Sequence, residues 1–460
     1  MNHIYFFRGI QMSFQQEKQL SAKGERFSSA GFILAAIGSS VGLGNMWKFP
    51  YITGQYGGAA FFLIFIVCLI AVGLPVLLAE LSIGRSGRGS AASSFVKAGG
   101  SKIWERLGLL QIIAPSMILS FYVIVAGWTL HYAILAFSGR LFANNDFAGQ
   151  FGTFVSGPMV IVWQAIAMLI TVWVVIRGIS GGIEKFNKVL IPGLIVLLIV
   201  LMIRAVTLPG AGAGVSFFLN PDFSKLNTES ALVALGHAFF SLSLGMGILI
   251  TYGAYVDKRQ SLGTATLAIG AGDLIYALIA GLIIFPTTFS FGIDPGQGPS
   301  LVFIALPAAF SAMPLGWLFG GLFFVLLAIA AMTSAVSILE VPVAYVKERW
   351  NWSRSRSVWT IALLCFILGI PSALSLGMVP ALTFGGKAFF DWMDFIASNI
   401  LLPLSGLLIT LFAGYFWKKA ADEADLTAAW FRIWLFMLRY VAPILMILVL
   451  LYSAGVIKFS

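Results

Sequence analysis

Charge is what this sequence has least of: Asp, Glu, Lys and Arg make up 10% of its 460 residues, against about 25% in an ordinary globular domain. With 59% hydrophobic residues and a mean hydropathy of +0.96, a water-soluble chain would have nowhere to bury its apolar surface. Soluble enzymes, nucleic-acid binders and disordered scaffolds are thereby excluded, and no nucleic-acid partner is expected despite a net charge of +10. Cysteine is nearly absent. Cys68 and Cys365 both lie in apolar runs, which gives no support to a disulfide framework. Three histidines, no clustered Cys/His spacing and no nucleophile–base pair assignable to one site argue against an integral-membrane enzyme. There is no G-x-x-x-x-G-K-[ST] loop, so any uphill movement must draw on an ion gradient or a partner subunit. The opening residues lack the pattern of a cleaved leader. Translation is expected to start at Met1 or Met12, and the segment before Met12 is assigned no function.

Long apolar runs are abundant. A membrane-spanning helix needs about 20 such residues, and eleven stretches qualify, near 28–53, 58–82, 107–138, 157–178, 182–207, 227–255, 262–290, 315–347, 353–376, 385–417 and 427–457. Segment 291–314 is punctuated by Gly and Pro, carries a short amphipathic stretch around Leu301–Phe310, and is expected to lie over the protein as an outer loop. Basic residues collect in cytoplasmic loops. With the N-terminus inside, 20 of the 28 Lys and Arg fall on the cytoplasmic side, Arg140, Arg204, Lys225, Lys387 and Lys458 fall outside, and Lys48, Arg432 and Arg439 lie within spans. Eleven spans then carry the C-terminus outside.

Two of the runs look broken. The first reads Ile37-Gly-Ser-Ser-Val-Gly-Leu-Gly-Asn45 at its middle, and the sixth reads Phe239-Phe-Ser-Leu-Ser-Leu-Gly-Met-Gly247. Hydroxyls beside a Gly-x-Gly in mid-span favour unwinding, which frees backbone groups that the bilayer core cannot satisfy. A bound cation and a zwitterionic substrate would satisfy them. Matching interruptions in two halves point to an inverted-repeat transporter with a midplane site, although helix packing alone also uses small residues.

The run Gly31-Phe-Ile-Leu-Ala-Ala-Ile-Gly-Ser-Ser-Val-Gly-Leu-Gly-Asn-Met-Trp-Lys-Phe-Pro-Tyr51 closely resembles the first-helix signature of the neurotransmitter:sodium symporter family, in its bacterial amino-acid branch. Phe239–Gly247 resembles the family's sixth helix and Ala330-Ala-Met-Thr-Ser334 its eighth. The resemblance runs from about Phe27 to the end. It implies an all-α polytopic membrane protein with a 5+5 inverted-repeat fold, helices 1 and 6 broken, and eleven transmembrane helices. The divisions expected are a cytoplasmic tail (1–27), a first repeat (28–207), an extracellular loop (208–226), a second repeat (227–417) and an eleventh helix (427–457).

The resemblance also implies two Na+ sites, and sodium, a hard cation, takes oxygen ligands. Ser40, Asn45, Ser241 and Asp273 match the first; Gly38, Val41, Ala330, Thr333 and Ser334 match the second. Asp273 departs from the family, where an asparagine is usual. An intramembrane carboxylate is functional by default, so Asp273 is expected to supply the charge that chloride supplies in animal members, with no chloride requirement. Protonation of Asp273, or pairing with His237, is the alternative.

For the substrate, the matching positions are Ser39, Ser40, Gly42, Leu43, Gly44, Ile118, Tyr122, Phe240, Ser241, Ser243, Met246, Ser334 and Ile338, with Ala335 beside them. The N–H groups of Leu43 and Gly44 and the phenol of Tyr122 suit a carboxylate. Monoamine carriers place an aspartate where this chain has Gly42, which favours an α-amino acid, with an apolar or aromatic side chain. Lys48 and Asp394 match the family's outer arginine–aspartate gate; lysine lacks the bidentate fork, so a looser latch is expected. At the inner gate, Lys23 or Arg26 is expected to pair with Glu348, near Tyr255. Solvated interfacial charge is the plain alternative for both gates.

The expectation is a sodium-coupled amino-acid symporter, not an enzyme, working by alternating access in the bacterial cytoplasmic (inner) membrane, with a monomer sufficient. Its partners are a small-molecule amino acid and the lipid bilayer. A proton-coupled carrier using Asp273, and a non-transporting receptor or channel, are the alternatives.

Overall fold

In a bilayer, an apolar segment can satisfy its backbone N–H and C=O groups only within itself, as a helix. The computed structural model, which describes residues 26–296 and 301–457, follows that rule almost throughout. Its long helices are α1 (Ser29–Gln55), α2 (Ala59–Gly87), α3 (Lys102–Phe137), α4 (Met159–Val175), α5 (Ile179–Val206), α6 (Thr228–Ser241 continued by Ile248–Ala254), α7 (Leu262–Ser290), α8 (Gly316–Trp350), α9 (Arg354–Leu374), α10 (Phe389–Phe416) and α11 (Ala428–Ser453). Among the described residues, nine of these are long and apolar enough to cross a membrane. A tenth span results if α4 is joined to the preceding helix Phe147–Val155, which it meets at 74° across Gly157-Pro158. Interrupted α6 does not pass that test as one helix. The sole sheet among the described residues is a two-stranded hairpin, Thr383–Phe384 with Lys387–Ala388, leading into α10.

Within segment 291–314, the stretch Leu301–Phe310 is largely buried rather than lying exposed over the protein. Leu301–Ser311 is helical, and Phe303 packs edge-on against Trp128 and Tyr132 of α3 at 5.5 and 5.2 Å. α8 is the most enclosed of the nine helices, with 83% of its apolar window buried, whereas α5 and α11 bury 28% and 33% and turn most of their apolar surface outward.

Both interruptions form where the glycine clusters lie. α1 starts on Ser28, whose hydroxyl accepts the Gly31 N–H at 3.1 Å, and winds regularly to Ser40. Val41 then leaves the helix with ψ +71°, and winding resumes as a wide turn at Gly44–Lys48. In α6 the break spans 242–247, with Ser243, Gly245 and Gly247 at φ +56°, +74° and +67°. Glycine takes that left-handed conformation freely, whereas at Ser243 it costs about 1 kcal/mol or more. Three bonds offset the cost. The Ser243 hydroxyl donates to the Ser39 carbonyl at 3.0 Å, Ser39 Oγ donates to Ser243 Oγ at 3.2 Å, and the Gly245 N–H donates to Glu80 of α2 at 2.7 Å. One break therefore braces the other.

Candidate functional site

The two breaks meet in mid-bundle and, with α3 and α8, line a narrow cavity. α1 lines it with Ser39, Ser40, Gly42 and Gly44; α3 with Ile118 and Tyr122; α6 with Phe240, Ser241, Ser243 and Met246; α8 with Ser334 and Ile338. Leu43 is absent from the lining, but its backbone N–H donates to the Tyr122 hydroxyl at 3.3 Å. Ala335 is buried in α8 and does not line the cavity. Gly42 is required by space. A Cβ there would stand 2.5 Å from Ser334 Oγ and 3.2 Å from the Tyr122 hydroxyl, so no aspartate fits without displacing both. Ile118, Phe240, Met246 and Ile338 form its apolar walls, and the hydroxyl groups come from five serines and Tyr122.

Asp273 of α7 is fully buried on the far side of the α1 break. Its Oδ1 accepts from Asn45 Nδ2 at 2.7 Å and lies 2.5 Å from Ser241 Oγ, which is itself 2.7 Å from Asn45 Oδ1. One hydroxyl proton cannot serve both oxygens at once, and Asp273 Oδ2 has no donor among the described residues. The cluster is therefore rich in oxygen and short of protons, the balance that suits a hard cation. Ser40 stands apart from it here and donates to its own helix at the Ala36 carbonyl, 3.2 Å. His237 does not pair with Asp273. Its ring stacks on Phe49 at 5.5 Å and against Phe65 at 5.2 Å, and neither nitrogen has a partner among the described residues.

A second oxygen group joins α1 to α8. Ser334 Oγ donates across the interface toward the carbonyls of Ser39 (3.0 Å) and Gly38 (3.4 Å), and Thr333 Oγ1 lies 3.1 Å from the carbonyls of Ile329 and Ala330. Bonding back to the same helix, as Thr333 does, is ordinary in membrane helices. The bonds of Ser334 are different because they reach the carbonyls next to the break. Val41, with its non-helical ψ, turns its carbonyl off the helix axis nearby.

Phe240 separates the cavity from a larger one bordered by Lys48, His237 and Ser398. There Lys48 reaches Asp394 at 3.4 Å while sitting 5.1 Å over the Phe240 ring, and Ser398 Oγ donates to the other Asp394 oxygen at 2.8 Å. At the opposite end the expected pairing with Glu348 is corrected. Glu348, in the last turn of α8, faces the 90–97 segment, where it accepts from the Ser90 N–H at 2.6 Å, from Ser93 and from Lys97. Arg26 instead lies 3.8 Å from Asp257. Lys23 falls outside the described residues. Tyr255 takes part through its carbonyl, which accepts the Phe27 N–H at 3.3 Å, and through its hydroxyl, 3.4 Å from Glu340.

Several polar residues here were not anticipated. Glu340 of α8 is fully buried and accepts from both terminal guanidinium nitrogens of Arg354, one at 3.2 Å, while Arg354 Nε donates to the Val175 carbonyl at 2.7 Å. Glu80 pins the α6 break, and Arg85 ties the end of α2 to Glu423 at 2.6 Å. Lone carboxylates within apolar runs were the available signal for Glu80 and Glu340.

The description "Sodium:neurotransmitter symporter family" belongs to the family profile that matches residues 25–146 and 150–460. The uncharacterized sodium-dependent transporter YhdH of Bacillus subtilis is 39% identical over 441 residues, which cover 94% of this chain and 98% of that one. An uncharacterized sodium-dependent transporter of Methanocaldococcus jannaschii is 32% identical, with 93% and 90% covered. Among solved structures, MhsT in complex with L-phenylalanine shares 45% identity over 93% of this chain and 99% of that chain, with a TM-score of 0.88. At this likeness the all-α, inverted-repeat architecture with broken α1 and α6 is the fold of the chain.

Proposed function

Because the chain belongs to the sodium:neurotransmitter symporter family, whose members are transporters and not enzymes, we propose that it imports an apolar or aromatic α-amino acid, coupled to sodium and independent of chloride. The observation that carries this reading is the cavity between the two breaks. It has apolar walls (Ile118, Phe240, Met246, Ile338) and, at its α1 edge, backbone N–H groups with the Tyr122 phenol. An amino acid's carboxylate suits that edge and its side chain suits the walls, and MhsT holds L-phenylalanine. Gly42 leaves no anion in place to meet the amine of a carboxylate-free substrate.

Asn45, Ser241 and Asp273, with Ser40 turned toward them, would hold one Na+. Gly38, Val41, Ala330, Thr333 and Ser334 would hold the other. The Asp273 carboxylate balances the first charge, which is why no chloride is needed. Residues 28–207 and 227–417 act as the two repeats, and 427–457 is an added eleventh helix. The N-terminus lies in the cytoplasm and the C-terminus outside, in a bacterial inner membrane. Sodium and substrate enter past Lys48 and Asp394, Phe240 closes behind them, and release follows when the first half of α1 leaves α5.

Uptake of a radiolabelled amino-acid panel into proteoliposomes tests this. Phenylalanine uptake in sodium chloride and in sodium gluconate, but not in choline chloride, is the expected result. Loss in gluconate alone removes the role given to Asp273, and uptake in choline driven by a pH gradient removes sodium coupling. The donor-free Asp273 Oδ2 favours one second reading, in which that oxygen carries a proton.

A further inference from the structure

We propose that the amide oxygen of Asn187 is a waypoint ligand for sodium leaving the second site, an inference that rests on the sodium sites proposed above. Asn187 lies in α5 and is fully buried. Its Nδ2 donates to the Ile183 carbonyl at 2.9 Å, which fixes the amide's orientation and points Oδ1 the other way. That oxygen has no donor among the described residues. Buried acceptors in native proteins are nearly always paired, and one left alone carries a desolvation cost that packing does not explain. A leucine would fill the same space without that cost.

What Oδ1 faces is Gly38 of α1. A Cβ at position 38 would collide with it, and only the absent side chain lets the two helices come this close. The Gly38 carbonyl is one of the oxygens that Ser334 reaches across the α1–α8 interface. Asn187 Oδ1 is thus separated from the second oxygen group by the thickness of one glycine. Toward the start of α1 the same two helices are fastened, with the Ser28 N–H and hydroxyl donating to Glu184 at 3.0 and 2.5 Å. When the first half of α1 leaves α5, Gly38 withdraws and uncovers Oδ1 beside the departing ion. A cation losing carbonyls from α1 then meets a replacement oxygen on α5, which does not move with α1.

The test uses full-length protein with phenylalanine as the probe. Equilibrium binding in detergent gives the sodium concentration for half-maximal phenylalanine binding, and release of internal 22Na+ and substrate from preloaded protein gives the exit rate. Asn187→Leu is expected to leave the sodium half-saturation within about twofold while slowing release roughly tenfold, the factor for one weakly held oxygen lost from the barrier. Asn187→Asp, which restores an oxygen, is expected to release sodium at least as fast as the wild type. Should Asn187→Leu bind no phenylalanine, Asn187→Ala removes the oxygen without adding bulk and carries the same comparison.

Wild-type release rates in the Leu or Ala variant overturn the proposal. So does slow release in Asn187→Asp, or an equal shift of half-saturation in all variants, since both would mark a structural role or a bridging water. Wild-type protein that binds phenylalanine without sodium overturns the second site itself, and that result is visible before any variant is made.

Discussion

The two ends of the helix bundle are closed in different ways. At one end a single pair, Lys48 with Asp394, spans 3.4 Å above Phe240, and both side chains are partly exposed. At the other, closure is layered. Arg26 approaches Asp257, Phe27 packs edge-on against Tyr252 at 5.1 Å, Ser28 is bonded to Glu184, and beneath them Glu340 is buried against Arg354 and Tyr255. A lone exposed ion pair contributes at most about 1 kcal/mol. A buried, shared network is costly to break because each member leaves another unpaired. The end carrying Lys48 is therefore held by fewer buried contacts than the other.

The contrast can be broken most severely at Arg354. Arg354→Ala leaves Glu340 buried and charged, and should lower unfolding stability by about 3–5 kcal/mol, read as a large fall in melting temperature in detergent. Replacing both partners (Glu340→Leu with Arg354→Leu) should recover most of that loss, because no lone charge remains. Failure to recover would mean the pair acts through more than its charges.

At the centre, Asp273→Asn keeps the shape and removes the charge. Sodium-dependent uptake in gluconate should fall by at least tenfold, equivalent to about 1.4 kcal/mol, and added chloride should restore part of it. Equal uptake with and without chloride would remove the charge-balancing role.

The comparison is sharpened by strengthening the weak end. Lys48→Arg supplies a planar fork to Asp394, and phenylalanine dissociation toward the Lys48 side should slow roughly fivefold, for about 1 kcal/mol gained. The smallest effect belongs to Arg26→Ala. Asp257 is more than half exposed and the pair is long, 3.8 Å, so the stability change should stay within about 1 kcal/mol. A larger loss would place Arg26 in the buried network.

Much of this arrangement was legible in the residues. Apolar runs of bilayer length mark the helices because in hydrocarbon the backbone has no other local solution. The Gly42-Leu-Gly44 and Gly245-Met-Gly247 clusters mark the breaks, the second because glycine tolerates the left-handed dihedrals required and the first because a side chain at Gly42 has little room. The 74° bend before α4, the left-handed Ser243 and the burial of the amphipathic stretch at Leu301–Phe310 were not legible, since neighbouring helices decide them. The choice of ionic partners was hidden for the same reason. Glu348 was expected to meet Lys23 or Arg26, yet α8 ends facing Ser90, Ser93 and Lys97, and Arg26 finds Asp257.

What the sequence determined by itself is which segments are long apolar helices, where two of them break, and which oxygen-bearing residues stand near the breaks. These depend on composition and spacing within one helix. Only the tertiary structure decided that Ser40 bonds back to Ala36, apart from Asn45, Ser241 and Asp273, that His237 stacks on Phe49, that Glu340 takes Arg354, and that Asn187 lies against Gly38. Hydrogen bonds and ion pairs act over a few ångströms, and two helices can slide by a turn without any change in the pattern that made each of them a helix.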